Sequence, residues 1–185
     1  FLAAMIVVRL QGIVGREVSP EHFAVVTVGT LTSGHTNNTI PGSATLVLNC
    51  RFYDDDVKAR TYAAIERVVR GECIASGCEK EPTFTYSNHG ELTDNSPEVF
   101  GKVRPLFDAV FDDASVDAQR WTASEDFSEV PRAFGAPYFF WLIGANSDDA
   151  DAPGNHMPDF LPDYEPVVSA SNRAALAAVL AYLAV

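Results

Sequence analysis

Residues 44–53 read Ala44-Thr-Leu-Val-Leu-Asn-Cys-Arg-Phe-Tyr53, and Asp54-Asp-Asp-Val57 follows directly. Strict alternation puts Ala44, Leu46, Leu48, Cys50 and Phe52 on one face and Thr45, Val47, Asn49, Arg51 and Tyr53 on the other. That pattern predicts a strand with one core face and one mostly polar face. The period then changes from two to about 3.6. Val57, Thr61, Ala64, Ile65, Val68 and Val69 form a helical stripe, with Asp54 or Asp55 as its cap and Gly77 as its stop.

Upstream, residues 23–31 are rich in Val and Thr and predict a partner strand, followed by a polar loop over 32–41. Residues 1–16 carry Leu2, Met5, Ile6, Leu10, Ile13 and Val14 at helical spacing until Ser19-Pro20 breaks the run. Nothing before Phe1 could cap this helix and no initiator Met is present, so the chain is expected to be a fragment or a cleavage product. Downstream, residues 83–86 predict a short strand. The order helix, strand, strand, helix, strand is an α/β arrangement: a split βαβ pattern, α+β in character, that lacks its first strand.

Between 88 and 96 the composition turns to Gly, Asn, Asp and Ser, and Pro97 marks a new helix start. A boundary near residue 90 divides the chain into domains over 1–90 and 91–185. Val99, Val103, Leu106 and Val110 give the next helix its apolar side, and Pro105 is expected to kink or divide it. A strand is predicted over 117–121, and a short helix over 127–133 capped by Ser124 or Asp126. Residues 136–145, with Tyr138, Phe139, Phe140, Trp141, Leu142 and Ile143 in succession, predict a strand covered on both sides. An acidic loop over 146–151 and an alanine- and leucine-rich helix over 166–185 close the chain.

With 185 residues, 47% of them hydrophobic, the chain can bury a full core. A net charge of −12 argues against nucleic acid or an anionic membrane surface as partner, because the average field repels both. No apolar run was expected to reach the roughly 20 residues that span a bilayer. Cys50, Cys73 and Cys78 lack the paired spacing of a disulfide framework or a zinc site, which predicts reduced thiols in a cytoplasmic protein.

Two stretches carry chemistry. In Asp151-Ala-Pro-Gly-Asn-His-Met-Pro-Asp-Phe160 a single histidine sits between Pro153-Gly154 and Pro158, where limited backbone freedom can aim an imidazole. An exposed loop histidine without a role is the alternative. Upstream stands Ser124-Glu-Asp-Phe127. Together they resemble the two-metal aminoacylase, carboxypeptidase and amidohydrolase family, and most closely its hippurate-hydrolase-like and auxin-conjugate-hydrolase-like branch. That branch carries Gly-Glu-Asp-Phe followed by His-Ser-Pro-x-Phe; Ser124 and Met157 depart from it.

The resemblance implies that His156 is a metal ligand and that the intact enzyme uses two divalent ions, zinc, manganese or cobalt. It implies a lid or dimerisation domain of ferredoxin-like type over 1–90, followed by the C-terminal portion of a zinc-peptidase-type catalytic domain. The substrate implied is an N-acyl amino acid or a related, peptide-like amide, hydrolysed through a metal-activated water. In that family the other ligands and the general-base glutamate lie in an N-terminal half that no segment here matches. By itself the chain is therefore expected to hold no metal tightly and to be inactive. A homodimer through the lid is implied, with no nucleic acid or membrane partner.

Asn38, in Asn37-Asn-Thr-Ile-Pro41, resembles the family's substrate-holding loop asparagine, with His35 a weaker candidate in the same loop. Arg51 resembles the family's strand arginine, and a guanidinium suits a carboxylate through two hydrogen bonds. Ser124 joins these as a substrate-binding candidate. Glu125 is a possible catalytic acid or base, or a group that orients its neighbours. For each there is a plainer alternative: turn residues at 37–38, a surface arginine at 51, a helix-end carboxylate at 125. Asp148, Asp149, Asp151 or Asp159 could complete a site locally, or simply form a solvated acidic loop. A non-catalytic dimerisation or binding module is the second functional class.

Overall fold

The computed structural model of the chain describes residues 1–87, 89–146 and 151–183. Asp148 and Asp149, two candidates for a locally completed site, lie outside the described residues. So do Asn88, in the expected boundary loop, and the last two residues of the closing helix. The chain divides into two compact units, Phe1–Leu92 and Thr93–Val185.

The first unit contains α1 (Leu2–Glu17), β1 (Ala24–Ser33), β2 (Ala44–Phe52) and α2 (Asp55–Ala75). The strands pair antiparallel, from Ala24 opposite Phe52 to Ser33 opposite Ala44. The register slips between Val28 and Thr30, so Gly29 is an extra residue in β1. The bulge brings Leu31 opposite Leu46 where unbroken alternation would place Thr30, and glycine suits the bend because it has no side chain to accommodate.

Val26, Val28, Leu46, Leu48 and Cys50 make the core face of this hairpin, as the alternation in 44–53 requires. Over it α1 buries Ile6, Leu10 and Ile13 against Ala64, Ile65 and Val68 of α2. Leu10 and Ile13 are 1% exposed, so α1 contributes the best-buried side chains of the cluster. Asp54 caps α2, its Oδ1 accepting the Val57 N–H at 2.9 Å. That bond leads the effects holding the Asp54 carboxyl below its usual range. At the other end Gly77 takes φ 65°, and the Cys78 N–H donates to the Cys73 carbonyl at 2.9 Å. This is the left-handed cap that glycine adopts without strain.

The strand expected over 83–86 does not form; the described sheet has two strands. Side chains hold this segment instead. The Tyr86 hydroxyl donates to Glu66 Oε1 at 2.6 Å, and the Arg70 guanidinium lies 5.0 Å from the Phe84 ring centre. Desolvation, then the bond to Glu66, pushes the Tyr86 phenol up to about 12. Alternating aromatics were present, but a ladder partner for their backbone was not.

The second unit contains α3 (Pro97–Phe111), a 3-10 turn (Asp112–Ala114), α4 (Glu129–Ala133) and α5 (Tyr164–Leu183). Ser96 caps α3 through its Oγ, with Pro97 at the first helical position. Pro105 does not divide α3. It lies on the exposed side, where the Gly101 carbonyl that loses its donor faces water. Val103 and Phe107 pack against Ala174 and Ala177 of α5, whose small side chains admit close approach. Phe139 and Trp141 complete this cluster, with Trp141 edge-on to Phe107 at 5.5 Å.

Neither 117–121 nor 136–145 is a strand among the described residues. Asp117 is drawn instead to Arg104. Residues 136–145 remain extended, tied to the loop before α3. The Ser96 N–H donates to the Tyr138 carbonyl at 2.8 Å, while the Asn95 amide accepts from Phe140 N–H at 2.7 Å and donates to its carbonyl at 3.0 Å. One asparagine thus stands in for a strand partner. The short helix α4 is smaller than expected and begins after Ser128; neither Ser124 nor Asp126 caps it with its side chain, and the Asp126 carbonyl accepts the Glu129 N–H. The helix α5 is apolar and long enough, by length and composition alone, to cross a membrane, with mean hydropathy 1.2. Its alanines raise that average without a continuous run of large apolar residues.

Candidate functional site

His156 sits on a tight turn in the second unit. Gly154 O accepts the Met157 N–H at 3.2 Å and Met157 O accepts the Phe160 N–H at 3.1 Å, so two turns follow one another between Pro153 and Phe160. His156 is the third residue of the first turn and has φ 67°. That position favours glycine, and a non-glycine residue held there carries local strain. The imidazole is exposed at the turn. Among the described residues the other non-glycine residue with positive φ is Asp112, at φ 50°.

The Ser124–Phe127 motif is anchored by its phenylalanine. The Phe127 ring lies 5.8 Å from Tyr138 and 5.0 Å from Phe140, fixing the motif against the extended segment. Ser124 is exposed and Glu125 half-buried. Ser124, Glu125 and His156 thus belong to one unit but to separate loops. Among the described residues no group of three or more His, Cys, Asp or Glu side chains is arranged to hold a metal. A catalytic zinc site takes roughly three protein ligands, and the described residues bring no such set together. Asp151 and Asp159 do not complete a site with His156.

His35, Asn38 and Arg51 belong to the first unit. Residues 34–43 fold back on themselves around a shallow cavity of about 150 Å³ whose wall includes His35, Thr36, Thr39 and Ile40. Gly34 makes the fold-back possible: it has φ 71°, and a Cβ there would lie 2.8 Å from Pro41 Cγ. Any side chain at 34 would displace the proline and open the loop. The Ser33 hydroxyl donates to the Ser43 carbonyl at 3.0 Å and closes its base. Asn38 is exposed in this loop and does not line the cavity. Arg51 projects on the polar face of β2, where its Nε donates to Asn49 Oδ1 at 3.1 Å.

One titratable cluster left no local signal in the sequence. Lys58 Nζ lies 3.0 Å from His89 Nε2, which is also 3.0 Å from Glu91 Oε1. Lys58 and His89 are far apart in the chain, so spacing could not reveal the pair. In the second unit an apolar cavity of about 310 Å³ is lined by Val99, Val103, Phe139, Trp141 and Tyr182. Its lining carries two tyrosines, Tyr138 and Tyr182, and no carboxylate or imidazole, so it lacks the groups for hydrolytic chemistry.

Comparison with known proteins supplies what geometry alone does not. No family model matches the chain. The hippurate hydrolase of Campylobacter jejuni is 29% identical over 129 residues, covering 69% of this chain and 33% of that protein. N-acetyldiaminopimelate deacetylase of Bacillus subtilis is 30% identical over 170 residues, 91% of this chain and 43% of the relative. Thermostable carboxypeptidase 2 of Saccharolobus solfataricus is 26% identical over 163 residues, 88% and 40%. A dinuclear metal-binding peptidase of the M20 family from Bacillus subtilis superposes with a TM-score of 0.71 at 22% identity, covering 97% of this chain and 45% of that one. The chain is a homologue of the two-metal aminoacylase, carboxypeptidase and amidohydrolase family.

A putative aminohydrolase from methicillin-resistant Staphylococcus aureus shares the M20-like fold at a TM-score of 0.78 and 24% identity, again over 97% of this chain and 45% of that one. The chain spans a third to less than half of the length of these relatives. The α/β fold class expected from residues 44–77 is thereby shared with solved members of the family.

Proposed function

We propose that the protein to which this chain belongs is a metal-dependent hydrolase of N-acyl amino acids or related amides, and that this chain supplies its lid and the C-terminal portion of its catalytic domain. The observation that carries the reading is His156: a strained, proline-flanked imidazole in a chain homologous to two-metal hydrolases and peptidases. In its neutral form it is a donor for zinc, manganese or cobalt. Bound divalent metals would supply a water made nucleophilic near neutral pH.

The chain's own residues take the remaining roles. Arg51 pairs with the substrate carboxylate through its guanidinium. Asn38 and His35, on the loop closed by Gly34 and Pro41, are substrate-holding groups, and Ser124 is a further one. Glu125 accepts or returns a proton, or orients its neighbours. The first unit is the dimerisation surface of a homodimer, and the location is cytoplasmic. A net charge of −12 suits small-molecule chemistry better than binding to nucleic acid or anionic lipid.

The test is hydrolysis of benzoylglycine and acetylated amino acids by the full-length protein before and after chelation. Activity should be lost on chelation and return with zinc, manganese or cobalt. Activity indifferent to chelation would overturn the metal-dependent reading. A full-length protein that self-associates but cleaves none of these substrates would favour the alternative, a non-catalytic dimerisation or binding module.

A further inference from the structure

We propose that Cys73 and Cys78 are a redox modification site, forming a reversible intramolecular disulfide across the C-terminal cap of α2. In sequence the two thiols are unremarkable, but the cap brings them together. The Ser76 N–H donates to the Glu72 carbonyl at 3.0 Å, the Gly77 N–H to the Ile74 carbonyl at 3.0 Å, and the Cys78 N–H to the Cys73 carbonyl at 2.9 Å. Gly77, at φ 65°, reverses the chain so that residue 78 returns over the last helical turn. The backbones of the two cysteines are thus in direct contact, as the short Cα separation of a disulfide requires. The Cys78 Sγ donates to the Lys80 carbonyl at 3.3 Å, and the Cys78 side chain is near enough to Cys73 to act on its thiol.

Exposure divides the labour. Cys78 is exposed and Cys73 buried at 8%. Cys50, the third thiol, is half-buried on the core face of β2. The oxidant class is a low-molecular-weight disulfide. The Cys78 thiolate attacks one reagent sulfur, forming a mixed disulfide and releasing one small thiol, which takes up a proton. The Cys73 thiol gives its proton to water and attacks the Cys78 sulfur, expelling the second small thiol. Two protein thiols are oxidised and one reagent disulfide is reduced to two thiols. Burial, then the neighbouring Cys78, pushes the Cys73 thiol up, so the closing step is faster in mildly alkaline than in neutral buffer.

The bridge would pin the turn where the chain leaves α2, beside Glu72, which Arg9 of α1 contacts at 3.0 Å. The experiment is incubation of the chain with oxidised glutathione, followed by alkylation and peptide mass mapping. The expected product has lost two hydrogen masses within the peptide joining Cys73 and Cys78, is monomeric, and reverts with dithiothreitol. Cys50→Ser should behave as the parent, while Cys73→Ala should keep glutathione on Cys78. A parent chain that retains a stable glutathione adduct on Cys78, or that links only between molecules, would overturn the proposal.

Discussion

His156→Ala in the full-length protein is expected to lower kcat for an N-acyl amino acid by more than about 100-fold, since loss of even an outer partner of a metal ligand costs about 10–100-fold. Metal content should fall in parallel. Folding should not suffer, because the side chain is exposed and its turn is closed by backbone bonds from Met157 and Phe160. The left-handed backbone sharpens the test. His156→Gly removes the same imidazole but relieves the φ of 67°, so it should stabilise the chain by about 1 kcal/mol while losing the same activity. Opposite changes in stability and activity at one position are what strain stored for function produces. A His156→Ala enzyme with parental kcat and parental metal content would make the residue an ordinary turn histidine.

Leu10→Ala should cost about 2–5 kcal/mol in unfolding free energy. Leu10 is 1% exposed and is enclosed by Ile6, Ile13, Ala64, Ile65 and Val68, so the missing methyl groups leave a cavity between two helices with little freedom to collapse. The loss is read from urea unfolding followed by circular dichroism. Val8→Ala on the same helix, at a side chain 66% exposed, is the control and should shift stability by no more than about 0.5 kcal/mol. Equal effects at the two positions would mean that α1 does not pack as described. Trp121 and Trp141 both lie in the second unit, so their fluorescence reports separately on it.

Elements whose cause is local were legible in the sequence. Alternation from Ala44 to Phe52, the Asp54 cap and the Gly77 stop each act within a few residues, and β2 and α2 form where they predict. The helical stripe of Leu10 and Ile13 does the same for α1. Segments 83–86, 117–121 and 136–145 misled because a strand needs a partner, and strand-like composition cannot supply one. Asn95, far from Phe140 in sequence, supplies the hydrogen bonds that alternation in 136–145 had assigned to a neighbouring strand. Pro105 does not divide α3 for a different reason: its cost depends on which side of the helix faces water. The bulge has one local mark, Gly29 standing alone inside a Val- and Thr-rich run.

At the site, the motif around His156 was legible through its flanking prolines and its resemblance to a known family. Its left-handed backbone was not, since that is a property of the turn and not of the residue type. Nor was the adjacency of Cys73 and Cys78, which depends on how Gly77 turns the chain. Spacing alone predicted reduced thiols at Cys50, Cys73 and Cys78.

The most direct measurement is metal content per chain, by elemental analysis of this chain after dialysis against zinc or manganese, with His156→Ala alongside. If His156 is one donor of a site whose other ligands come from elsewhere in the protein, the chain and the variant will both retain essentially no metal. About one tightly held ion per chain, lost in the variant, would contradict that arrangement and place a self-contained site on this chain.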